Sequence, residues 1–367
     1  MISKIVTLGD VCNKGSSNIA QKDLVDRDGI YPIYGAAGYI KNVDFAHQDK
    51  PYLAVVKDGA GIGRVMKLPA NSSIIGTMQY ILPKGNIDID YLYFALQYMN
   101  LSKYFSGSTI PHIYFRDYQK EKLPLPELSE QQGKAYVLLR IEQLIECYHQ
   151  QLTKLDELVK SQFVEMFGDP IDNPMGWFTK SLTSMGTCKN GMNFHNSDSG
   201  VEISCLGVGD FKDYSVIDGT SSLPTVSLNE MPPEDYLLRD EDIVFVRSNG
   251  NKTMVGRSVV VYPGDTPTTF SGFCIRYRNE DKSIAIPYLL RVLKTDSMRK
   301  QMYGRGANIQ NLNQQILASL QIPVPPMELQ EQYIAFVAQA DKSKLAVQQA
   351  FEKLETLKKS LMQQYFG

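Results

Sequence analysis

Two short glycine-containing loops carry the residues best suited to binding chemistry, and cations flank both of them. The loops are Gly59-Ala60-Gly61-Ile62-Gly63 and Ser248-Asn249-Gly250-Asn251-Lys252. The cations in and around them are Lys57, Arg64, Arg247, Lys252 and Arg257. Lysine and arginine bind phosphate, the arginine fork also matches guanine edges, and asparagine amides match adenine. The loops therefore predict contact with a polyanion such as DNA, although Asn249 and Asn251 are also typical turn residues.

The first loop differs from a dinucleotide-binding fingerprint. That fingerprint needs G-x-G-x-x-G at the start of a helix, whereas these glycines alternate and the strand-like Arg64-Val65-Met66 follows them. The Asn249-Gly250 step of the second loop is a strong turn signal. Both loops are therefore predicted to be tight hairpin connections.

Support for catalysis is weak. The histidines at 47, 112, 149 and 195 stand apart, in no metalloprotease or serine-hydrolase motif. The sequence has no Walker lysine motif, and Asn173-Pro174-Met175-Gly176 lacks the second proline and the aromatic residue of a methyltransferase N-P-P-F loop. We therefore predict no catalytic residue, metal or cofactor. His112 follows the stretch 107–111 and is instead a candidate for DNA contact.

Charge is unevenly distributed, although the whole chain is nearly neutral with 38 basic and 40 acidic side chains. Residues 169–246 hold 4 basic and 13 acidic side chains, whereas residues 247–305 hold 11 basic and 4 acidic ones. The arginines of the basic segment are Arg247, Arg257, Arg276, Arg278, Arg291, Arg299 and Arg305. The segment favours a polyanion-binding surface that includes Arg276, with a solvated charged face as the alternative.

The length of 367 residues predicts two domains, since single domains usually contain ~100–200 residues. The five cysteines are scattered without a C-x-x-C pair, so buried reduced thiols are expected rather than disulfides or a zinc site. No run reaches the ~18 apolar residues of a membrane span, and the first ten residues do not resemble a secretion signal. A cytoplasmic protein without a membrane partner is expected.

An internal repeat organises the chain. Residues 107–168 align with residues 306–367 without a gap, at an offset of 199. The matched pairs include Pro124 and Pro323, Pro126 and Pro325, Gln131 and Gln330, and Phe167-Gly168 and Phe366-Gly367. The chain therefore consists of two related halves.

Each half is predicted to end in a helix of ~36–38 residues, about 55 Å long. Apolar residues recur in both at alternating steps of three and four, and Lys344 and Lys358 interrupt the second stripe. The packing residues of these stripes are Leu138, Ile141, Ile145, Tyr148, Leu152, Leu155, Val337, Val347, Phe351, Leu354 and Leu361. We predict that the helices pack antiparallel on each other, with a parallel coiled coil between two chains as the alternative.

An α/β domain is predicted before each helix. The predicted strands are 52–57, 63–68 and 79–82 in the first half, and 242–247, 256–262 and 273–277 in the second. The predicted fold class is α+β, with two α/β-type domains separated by two long antiparallel helices in a pseudo-twofold internal repeat. The predicted boundaries are 1–126 and 169–325 for the domains, and 127–168 and 326–367 for the helical spacers.

The repeated segments resemble the specificity subunit of type I restriction–modification systems. The resemblance rests on residues 107–109 and 306–308, Leu-Pro-Leu-Pro at 123–126, Ile-Pro-Val-Pro-Pro at 322–326, and the K-S and F-G ends of both helices. It implies two target-recognition domains, each binding half of a bipartite double-stranded DNA target, with the helices setting the gap. It also implies that two methyltransferase subunits dock on the chain and that restriction (translocase) subunits join the full complex. Methylation and cleavage then belong to those partners.

Two hypotheses stay open at this point. The first is a non-catalytic DNA-specificity subunit that assembles a methyltransferase, with a type II-like system that cuts near its site as a variant. The second is a paired-domain scaffold that uses its long helices for self-association.

Overall fold

The computed structural model describes residues 4–107, 111–194, 199–211, 215–302 and 311–367. Of the residues singled out above, His195, Arg305 and the stretches 108–110 and 306–308 lie outside that description. The chain divides into two compact units. Unit 1 is Met1–Leu152 together with Leu345–Gly367, and unit 2 is Thr153–Lys344. Each unit thus contains one globular domain and a part of each long helix.

The helices of the described residues are mostly short, apart from two. They are α1 (Leu8–Val11), α2 (Ile89–Tyr98), α3 (Phe115–Tyr118), α4 (Leu128–Phe167), α5 (Ile286–Leu293), α6 (Asp296–Met302), α7 (Gln314–Ser319) and α8 (Met327–Phe366). Single 3₁₀ turns lie at Gln21–Leu24, Leu101–Tyr104, Leu182–Ser184, Val208–Asp210 and Glu234–Tyr236. α4 and α8 each contain 40 residues, which is about 60 Å. None of the helices in the described ranges is long and apolar enough to cross a membrane.

The globular domain of unit 1 contains three small sheets. Its strands are β1 (Lys4–Thr7), β2 (Cys12–Ser16), β3 (Tyr31–Gly35), β4 (Gly38–Val43), β5 (Tyr52–Val56), β6 (Val65–Leu68), β7 (Ser73–Ile74), β8 (Met78–Pro83) and β9 (Lys122–Leu125). The strand orders are β2-β8-β5-β6, β4-β3-β7 and β1-β9. β5 and β8 pair antiparallel at the centre of the largest sheet, with Leu53 opposite Ile81.

Unit 2 repeats this arrangement with one more strand. Its strands are β10 (Thr179–Ser181), β11 (Gly186–Asn190), β12 (Val201–Leu206), β13 (Val216–Asp218), β14 (Thr225–Leu228), β15 (Asp242–Val246), β16 (Ser258–Tyr262), β17 (Thr268–Phe270), β18 (Cys274–Asn279) and β19 (Gln321–Pro323). The strand orders are β11-β18-β15-β16-β13, β14-β12-β17 and β10-β19. The predicted α+β class with two related domains is confirmed.

The central strand of each domain is buried on both faces. Leu53 and Val55 of β5 pack into the core that contains α2, while Tyr52, Ala54 and Val56 pack into a second cluster on the opposite face. All five residues of β15 are likewise buried. A strand buried on both sides is expected to be almost continuously apolar, as both strands are. These strands are therefore rigid supports for the loops that follow them.

In unit 1 the two long helices run antiparallel. Lys358 of α8 donates to Glu142 of α4 (Nζ to Oε1, 2.7 Å), and the rings of Phe351 and His149 lie 4.6 Å apart. From the first contact to the second, the residue number rises by seven on α4 (142 to 149) and falls by seven on α8 (358 to 351). The two helices therefore run in opposite directions. Met362 and Phe366 at the end of α8 share a core with Leu138.

In unit 2 the helices are also antiparallel. Lys344 of α8 pairs with Asp156 of α4 (Nζ to Oδ1, 2.6 Å), and the Tyr333 hydroxyl donates to the Val159 carbonyl (3.4 Å). Lys344 and Lys358, which interrupt the apolar stripe of α8, therefore each face a carboxylate of α4. An ion pair at these positions explains how the two polar residues fit in the stripe.

The residues of the two predicted stripes lie on the inner faces of the helices. Leu138 and Ile141 are buried, and the other nine residues are half-buried. Towards the end of α4 the buried side chains are Phe163 and Phe167, because this part of α4 packs against Tyr288 of α5 as well as against α8. The expected burial of the cysteines is correct for Cys12, Cys205 and Cys274, but Cys188 is only half-buried and Cys147 is exposed on α4.

Candidate nucleic-acid interface

In unit 1 the loop between β5 and β6 is a closed hairpin. The Val56 N–H donates to the Arg64 carbonyl (2.9 Å), and the Gly63 N–H donates to the Val56 carbonyl (2.8 Å). Gly63 has a φ of 79°, a left-handed conformation that glycine adopts without strain. Lys57 and Arg64 therefore stand at the two ends of this loop, which we name the first hairpin (residues 57–64).

Unit 2 has the same hairpin between β15 and β16. The Val246 N–H donates to the Arg257 carbonyl (2.8 Å), and the Gly256 N–H donates to the Val246 carbonyl (2.8 Å). Gly256 has a φ of 75°. In this second hairpin (residues 247–257), Arg247 and Arg257 occupy the positions of Lys57 and Arg64. The prediction that both loops are hairpin connections is correct.

A segment of the internal repeat fixes the start of each hairpin. The Ile113 N–H donates to the Lys57 carbonyl (2.9 Å), and the Leu312 N–H donates to the Arg247 carbonyl (2.9 Å). Ile113 and Leu312 are matched residues of the repeat, at the offset of 199. The segment that leads to each long helix thus holds a cation-bearing loop in the same way in both units.

The first hairpin lies beside an aromatic and basic group of side chains. His112 hydrogen-bonds Asp58 through Nδ1, and its ring lies 4.1 Å from that of Tyr114. Burial, and then the positive charge of Lys57, lowers the pKa of His112. The Arg116 guanidinium stacks over Tyr114 at 4.6 Å. Arg64 is exposed and donates to the Ala36 carbonyl (3.2 Å).

In the second hairpin the two asparagines stabilise the turn. The Asn249 side-chain oxygen accepts from the Asn251 N–H (2.8 Å), and the Asn251 side-chain oxygen accepts from the Thr253 N–H (3.0 Å). In the part of the chain that the structure describes, both asparagines use the side-chain oxygen for the turn, so a ligand would be contacted by the amide NH₂ group. Lys252 is exposed, and Arg247 is half-buried, with Nη1 3.3 Å from the Gly272 carbonyl.

Two exposed phenylalanines near the hairpins were not among the predicted site residues. Phe105 lies close to the first hairpin in the chain segment that pairs with His112, and Phe273 accepts a hydrogen bond from the Arg247 N–H (2.8 Å). Both side chains are 60% exposed. Their sequence context is that of a strand or helix end, so only their exposure in the fold distinguishes them from core residues.

The predicted DNA contact of Arg276 needs correction. Arg276 is 3% exposed on β18, and its Nη2 donates to the Asp235 carbonyl (3.4 Å). Burial, and then the charge of Arg278, lowers the pKa of Arg276. Arg276 is buried because β18 lies between β11 and β15 and its residues Cys274–Tyr277 are all buried.

Other arginines of the basic segment also have structural partners. Arg278 makes a bidentate pair with the buried Asp242, from Nε to Oδ1 (2.8 Å) and from Nη2 to Oδ2 (2.7 Å). Arg299 donates to the carbonyls of Thr253 and Val255. The Arg291 guanidinium lies 5.7 Å from the centre of the Phe163 ring. These contacts indicate a structural role for Arg278, Arg291 and Arg299 within unit 2.

The chain is thus a protein of two structural repeats, each with a mixed α/β domain, a cationic hairpin and one long helix. The family model described as "Type I restriction modification DNA specificity domain" matches residues 3–157 and 225–359. The chain belongs to this family.

Individual relatives are distant in sequence. The chain is 22% identical over 286 residues to the type I restriction enzyme StySPI specificity subunit of Salmonella potsdam, an alignment that covers 72% of this chain and 61% of that subunit. It is 23% identical over 329 residues to the MjaVIII specificity subunit of Methanocaldococcus jannaschii, covering 83% and 76% of the two chains. The crystal structure of the type I restriction–modification system S subunit from M. genitalium has the same fold, with a TM-score of 0.62 at 14% identity over 99% of this chain and 96% of that one.

Proposed function

We propose that this chain is the DNA-specificity subunit of a type I restriction–modification complex. Each globular domain, 1–126 and 169–325, recognises one half of a bipartite double-stranded DNA target. The spacers within 127–168 and 326–367 set the gap between the half-sites. The observation that carries the proposal is the duplicated hairpin, which holds two cations at equivalent positions in each domain.

The chemistry of the hairpins suits DNA. Lys57 and Arg64 in the first hairpin, and Arg247 and Arg257 in the second, supply the charges that bind phosphate. The amide donors of Asn249 and Asn251 and the guanidinium of an arginine can contact base edges in the major groove. The sequences of the two hairpins differ, which agrees with two different half-sites.

The long helices have the dimensions that a spacer needs. Half-sites on one face of DNA lie about one helical turn apart, ~34–36 Å, or a multiple of it. α4 and α8 each extend about 60 Å, and each is a continuous helix of 40 residues. A stiff helix pair of this length can hold two recognition domains at a set separation.

Exposed apolar side chains on α4 favour this helix as the docking site for partner proteins. Val137 and Leu144 in unit 1, and Leu158 and Val164 in unit 2, are exposed apolar side chains on this helix. The first two are seven residues apart, the spacing of a helix-packing face. We propose that two methyltransferase subunits bind here, that restriction subunits join the full complex, and that these partners carry the catalytic activities.

The same exposed residues favour the second candidate function, a scaffold that self-associates through α4. The two functions predict different proteins in a complex purified with this chain. A specificity subunit is isolated as a complex with methyltransferase and binds a defined DNA sequence, whereas a scaffold is isolated as a homo-oligomer without sequence preference.

Charge reversal tests the assignment of the hairpins. The double variant R247E/R257E, in complex with methyltransferase, should lose sequence-selective DNA binding, measured by titration of the specific duplex against a scrambled one. R239E is the matched control, because Arg239 is an exposed arginine at the opposite end of β15, paired with Glu234. Binding by R247E/R257E that equals the binding by R239E contradicts the hairpin assignment.

A further inference from the structure

A buried glutamine joins the start of α4 to the globular domain of unit 1. Gln131 is 1% exposed and lies in the first turn of α4. Its Oε1 accepts from the Asp88 N–H (2.9 Å), at the start of α2, and its Nε2 donates to the carbonyls of Asn86 (3.2 Å) and Pro126 (2.9 Å). One side chain thus ties together α4, the loop before α2 and the segment after β9.

Unit 2 contains the same joint. Gln330 is 0% exposed in the first turn of α8. Its Oε1 accepts from the Ala285 N–H (2.8 Å), and its Nε2 donates to the carbonyls of Ser283 (3.0 Å) and Pro325 (2.8 Å). The three partners are main-chain groups in both units, so the joint is preserved although the partner side chains differ.

A tyrosine and a phenylalanine complete each joint. In unit 1 the Tyr91 hydroxyl donates to the Pro124 carbonyl (3.0 Å), and its ring lies 5.0 Å from that of Phe366. In unit 2 the Tyr288 hydroxyl donates to the Pro323 carbonyl (3.1 Å), and its ring lies 4.9 Å from that of Phe167. Each domain is therefore fixed to the beginning of one long helix and to the end of the other.

We propose that Gln131 and Gln330 are positioning residues that set the orientation of each recognition domain on the helices and thereby limit the gap between half-sites that the subunit accepts. The inference rests on the proposed function. A buried side-chain amide with all its hydrogen bonds made to main-chain groups permits one geometry, because any rotation of the domain leaves buried donors or acceptors unpaired. Both glutamines are buried and act through the joint instead of contacting DNA.

The test uses the full chain in complex with its methyltransferase subunits and two glutamine variants of unit 1. Q131M keeps the side-chain length and removes the three hydrogen bonds of the joint. Q79M is the matched control, because Gln79 is also a buried glutamine of unit 1 and bonds the Tyr118 hydroxyl (2.8 Å) inside the domain. Y91F is a milder variant of the same joint, since it removes only the bond to Pro124.

Sequencing of methylated DNA first gives the half-sites and gap of the unmodified complex. Binding is then measured on duplexes that carry these half-sites with the natural gap and with a gap one base pair longer or shorter. We expect Q131M to reduce the preference for the natural gap about tenfold, since a loosened joint removes preorganisation. Y91F should reduce it in the same direction by a smaller factor, and Q79M should leave it unchanged.

The outcomes separate the two proposals. No bipartite motif for the unmodified complex contradicts the proposed function itself. A bipartite motif with equal gap preference in Q131M, Y91F and Q79M overturns the positioning role, as does an equal loss in Q131M and Q79M. If Q131M does not fold, Y91F against Q79M decides the question in the same way.

Discussion

Lengthening both long helices at the boundary between the units should lengthen the gap between half-sites. The perturbation is one added heptad after Leu152 in α4 and another after Lys344 in α8, where unit 1 and unit 2 divide. The Lys358–Glu142 pair stays within unit 1 and the contact of Tyr333 with Val159 stays within unit 2, so the packing of each unit is retained.

The size of the effect follows from helix geometry. Seven residues add about 10.5 Å along the helix axis and bring the following residues to within ~20° of their original facing direction. Base pairs are stacked at ~3.4 Å. The added length corresponds to about three base pairs, so the gap should grow, while both half-site sequences stay the same because neither domain has changed.

The assay is sequencing of methylated DNA from cells that express the variant with its methyltransferase. A heptad inserted after Asp265, in an exposed turn of unit 2, is the control and should leave the motif unchanged. Insertion of four residues into 138–166 of α4 alone should also alter the gap. An unchanged gap in the double-heptad variant, or altered half-sites with the old gap, refutes the spacer role of the helices.

Two further predictions concern carboxylates of unit 2. Asp242→Ala leaves the Arg278 guanidinium without its buried partner and should lower the free energy of unfolding by about 3 kcal/mol. Glu234→Gln, in the exposed pair with Arg239, should change the free energy of unfolding by less than ~1 kcal/mol. Urea unfolding measures both values, and equal effects would contradict the role of burial. Hydrogen bonds from Lys180 and then from Ser283 lower the pKa of Asp281 from 3.8 to about 2, so the stabilising contribution of the carboxylate is complete above pH 3.8 and is lost as the pH falls through about 2. Asp281→Asn should remove that part of the acid dependence in unfolding curves between pH 2 and pH 6, and an unaltered acid dependence would show that this pair is not its source.

The repeat and the helices could be predicted because their signals are local and periodic. The heptad spacing from Leu138 to Leu155 identifies the inner face of α4 without knowledge of its partner. The hairpins could be predicted because alternating glycines and Asn-Gly have few other uses between strands. The antiparallel pairing followed from the duplication, since each helix needs a matching apolar face.

Which arginines are buried and which lie at a hairpin could not be predicted from the sequence. Arg247 and Arg276 both border or lie in strands of one basic segment, yet one ends at a hairpin and the other points into the core. That difference depends on strand register, and the number of charged residues in a segment gives no information about register. Nothing in the sequence singles out Asp242 among the acidic residues as the partner of Arg278. The two residues meet because β15 pairs with β18.

The joints could not be predicted from the ungapped alignment of the two halves. Ile87-Asp88-Ile89-Asp90-Tyr91-Leu92 and Ile284-Ala285-Ile286-Pro287-Tyr288-Leu289 share the pattern I-x-I-x-Y-L at an offset of 197. The ungapped alignment of 107–168 with 306–367 has an offset of 199 and begins after this segment in both halves. An alignment that allows a two-residue gap connects Tyr91 with Tyr288, which would have indicated the joint partners of Gln131 and Gln330.

Sequencing of methylated genomic DNA from cells that carry this chain and its methyltransferase tests the central claim most directly. Two different short sequences separated by a constant number of unspecified bases, with methylation that disappears when this chain is deleted, is the predicted result. A single continuous motif, or methylation that persists without the chain, would contradict the account of two recognition domains held apart by paired helices.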